Sequence, residues 1–346
     1  NCAPSGDNVS GRLDGFFSLP LNEAYQRRLD YLVARYGAYD NLLAWELFNE
    51  LDEALIGHPK PMHLQDEARI TAAWTAAASS ALRQRDPYDR LITVSLATQP
   101  WYDNYRAPAI DLVPVHGYLP PLAEVEQRHR DGVALQREWL RPVLPIGKPV
   151  SVAECGYQGA NEDNAGNFFD PAGVLLQHQA WGGLLNGGWT TGMNWWWDVY
   201  LDRAELWNLY RPIRTAVDFI DWSDTGLEPL PWPKPGQTVA LLGWRSPEQA
   251  LIWPRLASDT WFRRVIEGEV PPDWPSPQDR LLQIPGFTPH RDFHVQVLDM
   301  DAGTIEPPFQ LTSSAAGMLL LQLPGGTARS ILLIRDRGGA AFEELD

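Results

Sequence analysis

Asn41-Leu-Leu-Ala-Trp-Glu-Leu-Phe-Asn-Glu50 is a mostly apolar run ending in two polar side chains, and the rest of the chain is read outward from it. Such a run suits a buried parallel strand whose C-terminal end opens into a site. Upstream, Ala24, Leu29, Leu32, Val33 and Tyr36 recur at helical spacing and stop before Gly37, which predicts an amphipathic helix starting after Asn22. Downstream, the alanine-rich stretch from Asp66 to Gln84 predicts a helix closed by Asp86-Pro87, and Leu91–Ala97 a strand. The alternation continues with Asp111–Gly117 as strand, Leu122–Leu140 as helix, Pro149–Cys155 as strand, Pro171–Leu185 as helix, Thr191–Trp197 as strand and Arg203–Ile220 as helix. Strands alternating with helices predict a parallel α/β sheet or barrel, and the spacing suits a (β/α) barrel.

Beyond this part the texture changes. Around Asp221–Gln237 the sequence becomes rich in Pro and Trp, with Pro229, Pro231, Pro233 and Pro235, and residues 223–236 read as a linker. Residues 237–346 hold short β-type runs separated by Gly, Pro and Asp turns: Thr238–Gly243, Ala250–Pro254, Trp261–Ile266, Leu281–Ile284, Phe293–Leu298, Gly317–Leu323 and Ser330–Ile334. They predict a small antiparallel β-sandwich.

The charge balance narrows the function classes. The 28 Lys+Arg against 44 Asp+Glu give a net charge of −16, and no basic run exceeds pairs such as Arg27-Arg28. Phosphate neutralisation and adhesion to an anionic membrane surface are therefore not expected. No stretch approaches the ~20 apolar residues that span a bilayer, and residues 1–20 lack the basic and apolar regions of a signal peptide. The chain begins at Asn1 without a Met, which leaves a processed or secreted product open. Cys2 and Cys155 are read as free thiols and say little about compartment. The 16 Trp stand out, including Trp195, Trp196 and Trp197 in a row, because aromatic faces pack cores but also stack on sugar rings.

Glu50 and Glu154 both fall at the C-terminal ends of predicted parallel strands, where barrel enzymes place their catalytic groups. Two facing carboxylates are what glycoside hydrolysis requires, one to protonate the leaving oxygen and one to act as nucleophile or base. The plainer reading of a strand-terminal Glu is a helix cap or an Arg partner.

Four ordered motifs resemble those of clan A glycoside hydrolases, in the cellulase and mannanase branch of family 5 and its relatives. Trp45-Glu-Leu-Phe-Asn49-Glu50 is similar to the strand-four motif, His116-Gly-Tyr118 to the strand-six motif, Val152-Ala-Glu154-Cys-Gly156 to the strand-seven motif and Asn194-Trp-Trp-Trp197 to the strand-eight tryptophan segment. The stretch from Arg28 to Gly37 resembles the helix before strand four, so the resemblance covers about residues 10–220. It implies a retaining β-glycosidase with Glu50 as acid/base and Glu154 as nucleophile, acting on a β-linked glycan of mannan or glucan type. A retaining pair lies roughly 5–5.5 Å apart, and its two environments must separate the two pKa values. By the same resemblance Asn49 binds the sugar 2-OH, Tyr118 orients Glu154, and His116 binds a hydroxyl or tunes Glu50. Trp197, or Trp195 on the same strand face, carries the −1 sugar, with Trp196 as core. Trp101 and Tyr102, just past a predicted strand, are candidates for a positive subsite; Asn49 is also readable as an Asx cap.

The match begins only at the fourth strand, since just 40 residues precede Asn41. The expected fold is therefore a (β/α)8 TIM barrel lacking its first three strands over residues 1–222, followed by the linker and the sandwich as an accessory domain. An open parallel wall exposes edges that invite aggregation. The chain is accordingly read as a piece of a longer polypeptide, as a partial barrel whose missing strands come from another chain, or as a degenerate relative that binds carbohydrate without cleaving it. A barrel enzyme using paired carboxylates for other chemistry is a third reading. No cofactor or metal is expected: His290 and His294 lie in the sandwich, where i,i+4 spacing does not join side chains, and no phosphate or dinucleotide fingerprint occurs. Glu162-Asp163-Asn164 reads as a solvated loop.

Overall fold

A computed structural model describes residues 16–17, 19–53, 64–97, 100–157, 169–234, 236–274, 276, 278, 280–323 and 328–338. Cys2 and the acidic stretch 162–164 lie outside the described residues. The chain divides into two compact units, one of residues 1–117 and 139–153, the other of residues 118–138 and 154–346. No described helix is long and apolar enough to cross a membrane.

In the first unit, helix α1 (Glu23–Tyr36) begins where the Asn22 side chain accepts the Ala24 N–H at 2.8 Å, and buries Tyr25, Leu29 and Val33 at four-residue spacing. Strand β1 (Ala44–Glu46) follows, then helix α2 (Leu64–Arg85), which buries Trp74, Ala78 and Leu82 on one stripe. Trp74 sits among the rings of Phe16, Phe17, Tyr25 and Phe48. Asp86 ends α2 by accepting the backbone N–H groups of Tyr88 and Arg90 and the Trp45 indole N–H. Strand β2 (Leu91–Thr93) runs parallel to β1, pairing Ala44 with Leu91 and Glu46 with Thr93. Past β2, Leu96 makes a parallel bridge to Val115 of β3 (Val113–Leu119). β3 neighbours β4 (Val150–Tyr157), and both are almost wholly buried, as strands of a covered parallel sheet are.

The second unit receives the ends of β3 and β4. Cys155 of β4 makes a parallel bridge to Asn194. Helix α3 (Gly132–Leu140) starts at Asp131, whose carboxylate accepts the N–H groups of Val133 and Ala134. Helix α4 (Val174–Leu185) is buried on every face, and α5 (Arg211–Phe219) carries Pro in its first turn. The remaining strands are β5 (Glu228–Pro229), β6 (Val239–Arg245), β7 (Gln249–Leu256), β8 (Leu281–Ile284), β9 (Asp292–Asp299), β10 (Phe309–Thr312), β11 (Leu319–Gln322) and β12 (Ser330–Asp336), with helix α6 (Trp261–Val265) after β7.

Six of them form an antiparallel sheet in the order β10-β9-β12-β7-β6-β5, and β8 pairs with β11 in a separate ribbon. Alternation along β7 shows why it reads as continuously apolar. Leu251 and Trp253 meet Trp181, Leu184, Ile213 and Phe219 of α4 and α5, whereas Ala250 and Ile252 meet Leu282, Ile284, Leu319 and Leu321 of the ribbon. Truncating Trp181 or Trp253 in such a core costs about 3–5 kcal/mol. Polar ties reinforce the helix face: Trp244 Nε1–H donates to the Leu184 carbonyl at 2.8 Å, and Arg255 clamps Asp131 at 2.8 and 2.9 Å.

Several elements differ from the sequence expectation. The predicted helix Leu122–Leu140 is two 3-10 turns, Leu122–Glu124 and Gln127–Arg130, before α3, because Asp131 caps a new start. The predicted strand Thr191–Trp197 shrinks to the bridge at Asn194, whose side chain accepts the Trp196 N–H at 2.9 Å and turns the chain into a π-helical turn, Trp197–Leu201. Arg203–Ile220 is a 3-10 turn, Leu206–Tyr210, before α5. Trp261–Ile266 is helical rather than extended, since Thr260 accepts the Arg263 N–H as an N-cap. Strand β10 escaped the sequence reading, and Glu228–Pro229 of the Pro-rich stretch pairs with Trp244 and Arg245.

Candidate functional site

Glu50 lies just past β1 in the left-handed region at φ 52°, where a non-glycine residue costs about 1–3 kcal/mol and the surroundings must hold it. Ser95 does so: its hydroxyl accepts the Glu50 N–H at 2.9 Å and donates to Asn49 Oδ1 at 3.3 Å. Asp52, fully buried, accepts the Ala97 N–H at 2.8 Å and closes the same turn. The Glu50 carboxylate then meets His116 Nδ1 at 2.8 Å, with the imidazole buried and the carboxylate part-exposed.

Two residues further along β3, the Tyr118 hydroxyl donates to Glu154 Oε2 at 2.6 Å. Glu154 is buried within β4. Alternation puts His116 and Tyr118 on the same face of β3. Gly117 between them has a structural reason: a Cβ there would lie 2.2 Å from the Trp139 ring. The glycine lets an indole cover the opposite face of the strand.

Register ties the tryptophan segment to Glu154. Cys155 N–H donates to the Met193 carbonyl at 2.8 Å, and Trp195 N–H to the Cys155 carbonyl at 2.9 Å. Trp195 and Trp197 are about half exposed, at 48% and 53%. Trp196 is half-buried against Tyr200 and Leu206, and its indole N–H donates to the Tyr157 carbonyl at 2.7 Å. Burial pushes the Cys155 thiol well above its ordinary range, against the hydrogen bond from Gln136, so it is inert as a nucleophile.

Trp101 corrects its expectation: it is 6% exposed and heads the 3-10 turn Tyr102–Arg106, with Asn104 donating to its carbonyl. A buried indole offers no stacking face. Tyr102 is half-buried, and burial raises its phenol. His290 sits in a turn at φ 56° and His294 on β9 opposite Gln310 and Arg335.

Ser95 and Asp52 were missed from the sequence. Ser95 is a lone hydroxyl among the apolar residues of Leu91–Ala97, a weak signal, while Asp52 follows the quoted run by two residues.

The parallel strands, their helices and this loop chemistry define an α/β fold of the type found in glycoside hydrolases. Among solved structures, a family 5 glycoside hydrolase from Bacteroides vulgatus matches with a TM-score of 0.56 at 12% identity, covering 94% of this chain and 68% of that one. A second Bacteroides vulgatus protein assigned to the glycoside hydrolases matches with a TM-score of 0.52 at 17% identity over 91% of this chain, which spans only 55% of its length. A third, named simply glycoside hydrolase, has a TM-score of 0.53, 13% identity and coverages of 92% and 69%. No protein-family model and no curated protein matches the sequence. At these identities the likeness is one of fold.

Proposed function

We propose that the chain is the catalytic part of a retaining β-glycosidase acting on a β-linked glycan of mannan or glucan type. The observation that carries the reading is the pair of bonds made by alternate residues of β3, His116 to Glu50 and Tyr118 to Glu154. In this mechanism the Glu154 carboxylate attacks the anomeric carbon while Glu50 gives its proton to the departing glycosidic oxygen. Glu50 then takes a proton from water, which displaces Glu154 from the glycosyl-enzyme. Tyr118 fixes the attacking oxygen, His116 holds the Glu50 carboxylate, Asn49 takes the sugar 2-OH, and Trp195 and Trp197 carry the −1 ring. We assign residues 1–222 to the partial barrel and regard 223–236 as its connection to the β-sandwich of 237–346, an accessory layer.

Azide separates the two roles. Glu154→Ala supplied with azide and an activated aryl β-glycoside should release the α-glycosyl azide, because azide takes the nucleophile's place; Glu50→Ala should release the β-azide. The reverse pairing, or activity in both variants equal to the parent, refutes the assignment.

A carbohydrate-binding, non-catalytic relative is the second reading. It is favoured by one feature: among the described residues β1 pairs only with β2, so the wall has an open edge. We propose that polypeptide outside these residues, from the same chain or another, completes it. Retained glycan binding without turnover in the parent would favour the non-catalytic reading.

A further inference from the structure

The chain from 193 to 207 carries an unusual run of solvent-facing apolar side chains: Met193, Trp195, Trp197 and Trp207 are each about half exposed. Trp207 differs from the others in how it is held. Its indole N–H donates to Asp202 Oδ1, and the Tyr210 ring lies 6.2 Å away at an interplanar angle of 36°. Asp202 is itself fixed to the tryptophan segment, its backbone N–H donating to the Trp197 carbonyl at 2.9 Å. Glu205, at φ 55°, donates its backbone N–H to the Asp202 carbonyl at 3.3 Å and turns the chain so that Trp207 returns beside this turn. A continuous series of contacts thus leads from Glu154 through Cys155, Trp195 and Trp197 to Asp202 and Trp207.

An indole tied at its edge and backed by a second ring has a fixed orientation with its face exposed, so little side-chain entropy is lost when a ring stacks on it. The acidic side chains nearby in sequence, Asp198, Asp202 and Glu205, are acceptors for hydroxyl groups, and against Arg203 and Arg211 they leave the segment with a net negative charge that disfavours carboxylates. We infer that Trp207 and Asp202 form an outer subsite for a further ring of an uncharged β-glycan, beyond the ring on Trp195 and Trp197. Trp207 supplies the stacking face and Asp202 the hydroxyl acceptor. The inference rests on the glycosidase reading and deepens it: the substrate is a neutral chain of at least two sugars, not a uronic-acid polymer.

The test is native affinity electrophoresis of the full chain in gels containing galactomannan, hydroxyethyl cellulose or polygalacturonate. At least one neutral polymer should retard the parent, Trp207→Ala should weaken that retention about tenfold, and Trp207→Phe, which keeps a ring, should retain most of it. Equal thermal melting of the parent and Trp207→Ala keeps the comparison free of unfolding. Equal retention of parent and Trp207→Ala overturns the subsite, as does retardation by polygalacturonate as strong as by the neutral polymers or none by any polymer. Hydrolysis of an aryl β-glycoside by the parent and its loss in Glu154→Gln separate failure of the subsite from failure of the glycosidase reading.

Discussion

The surroundings of Glu50 and Glu154 are opposite in kind. Glu50 follows a strand, in a strained left-handed turn clamped by Ser95, with its carboxylate part-exposed against an imidazole. Glu154 lies within a strand on extended backbone, buried under a phenol. The acid/base role proposed for Glu50, passing a proton between leaving group and water, needs access and a partner that can itself carry a proton. The nucleophile role proposed for Glu154 needs one oxygen held in one direction, which a buried phenolic donor supplies.

The sharpest way to break this contrast is to remove each carboxylate and vary the leaving group. Glu154→Gln should lower turnover on the order of 10⁴-fold whatever the leaving group, whereas Glu50→Ala should lose about 10²–10⁴-fold on a glycan but little of the first step on a dinitrophenyl glycoside. Burst-phase and steady-state kinetics on both substrates give the comparison, and identical profiles would remove the division of roles.

The shared strand is the next target. Gly117→Ala drives a Cβ into the Trp139 ring and should destabilise the protein by about 3 kcal/mol or more, read as a lower urea midpoint. An unchanged midpoint would mean that Trp139 moves freely aside.

Tyr118→Phe removes the hydroxyl that donates to Glu154 and should reduce kcat about 10–100-fold with little change in melting temperature. A change confined to KM would show that Tyr118 serves binding and not the orientation of Glu154.

The smallest effect concerns the entry to the Glu50 turn. Burial raises the Asp86 carboxyl, but hydrogen bonds from Trp45, Tyr88 and Arg90 outweigh it and hold the carboxyl below its ordinary value. Its contribution to stability is thus fully present above the unfolded value of about 3.9 and is lost as pH falls through the lower folded value. Asp86→Asn should lower stability at pH 7 and flatten the acid limb, checked by urea unfolding from neutral to acid pH. An unaltered acid limb would place that dependence on other carboxylates.

Much of this was legible because it is local or periodic. α1 announces itself by Leu29 and Val33 at helical spacing and by Gly37, although the ring it buries one turn earlier is Tyr25 and not the expected Ala24; β4 announces itself by Val150, Val152 and Ala153 before a carboxylate, and it runs on to Tyr157. His116 and Tyr118 were legible through the motif they resemble, although the expected strand stopped at Gly117 and the structure carries it on to Leu119. Trp101 was not, since whether a loop indole is open or buried depends on what distant chain packs on it. Nor was the fate of 191–201, where a single Asn194 side-chain bond to Trp196 N–H converts expected strand into a π-helical turn. The helix at Trp261 was hidden by β-type residues, and Thr260 was its one local sign.

From the sequence alone came the alternation of strand and helix, the change of texture after residue 222 and the residues at strand ends, because these follow from side-chain period and chain stiffness. Tertiary structure decided which oxygen meets which hydrogen: that Ser95 clamps Glu50, that Trp139 demands Gly117, and that α4 and α5 cover one face of the antiparallel sheet. Those are contacts between residues far apart in the chain, and their energies depend on distance and burial, which exist only once the chain has folded.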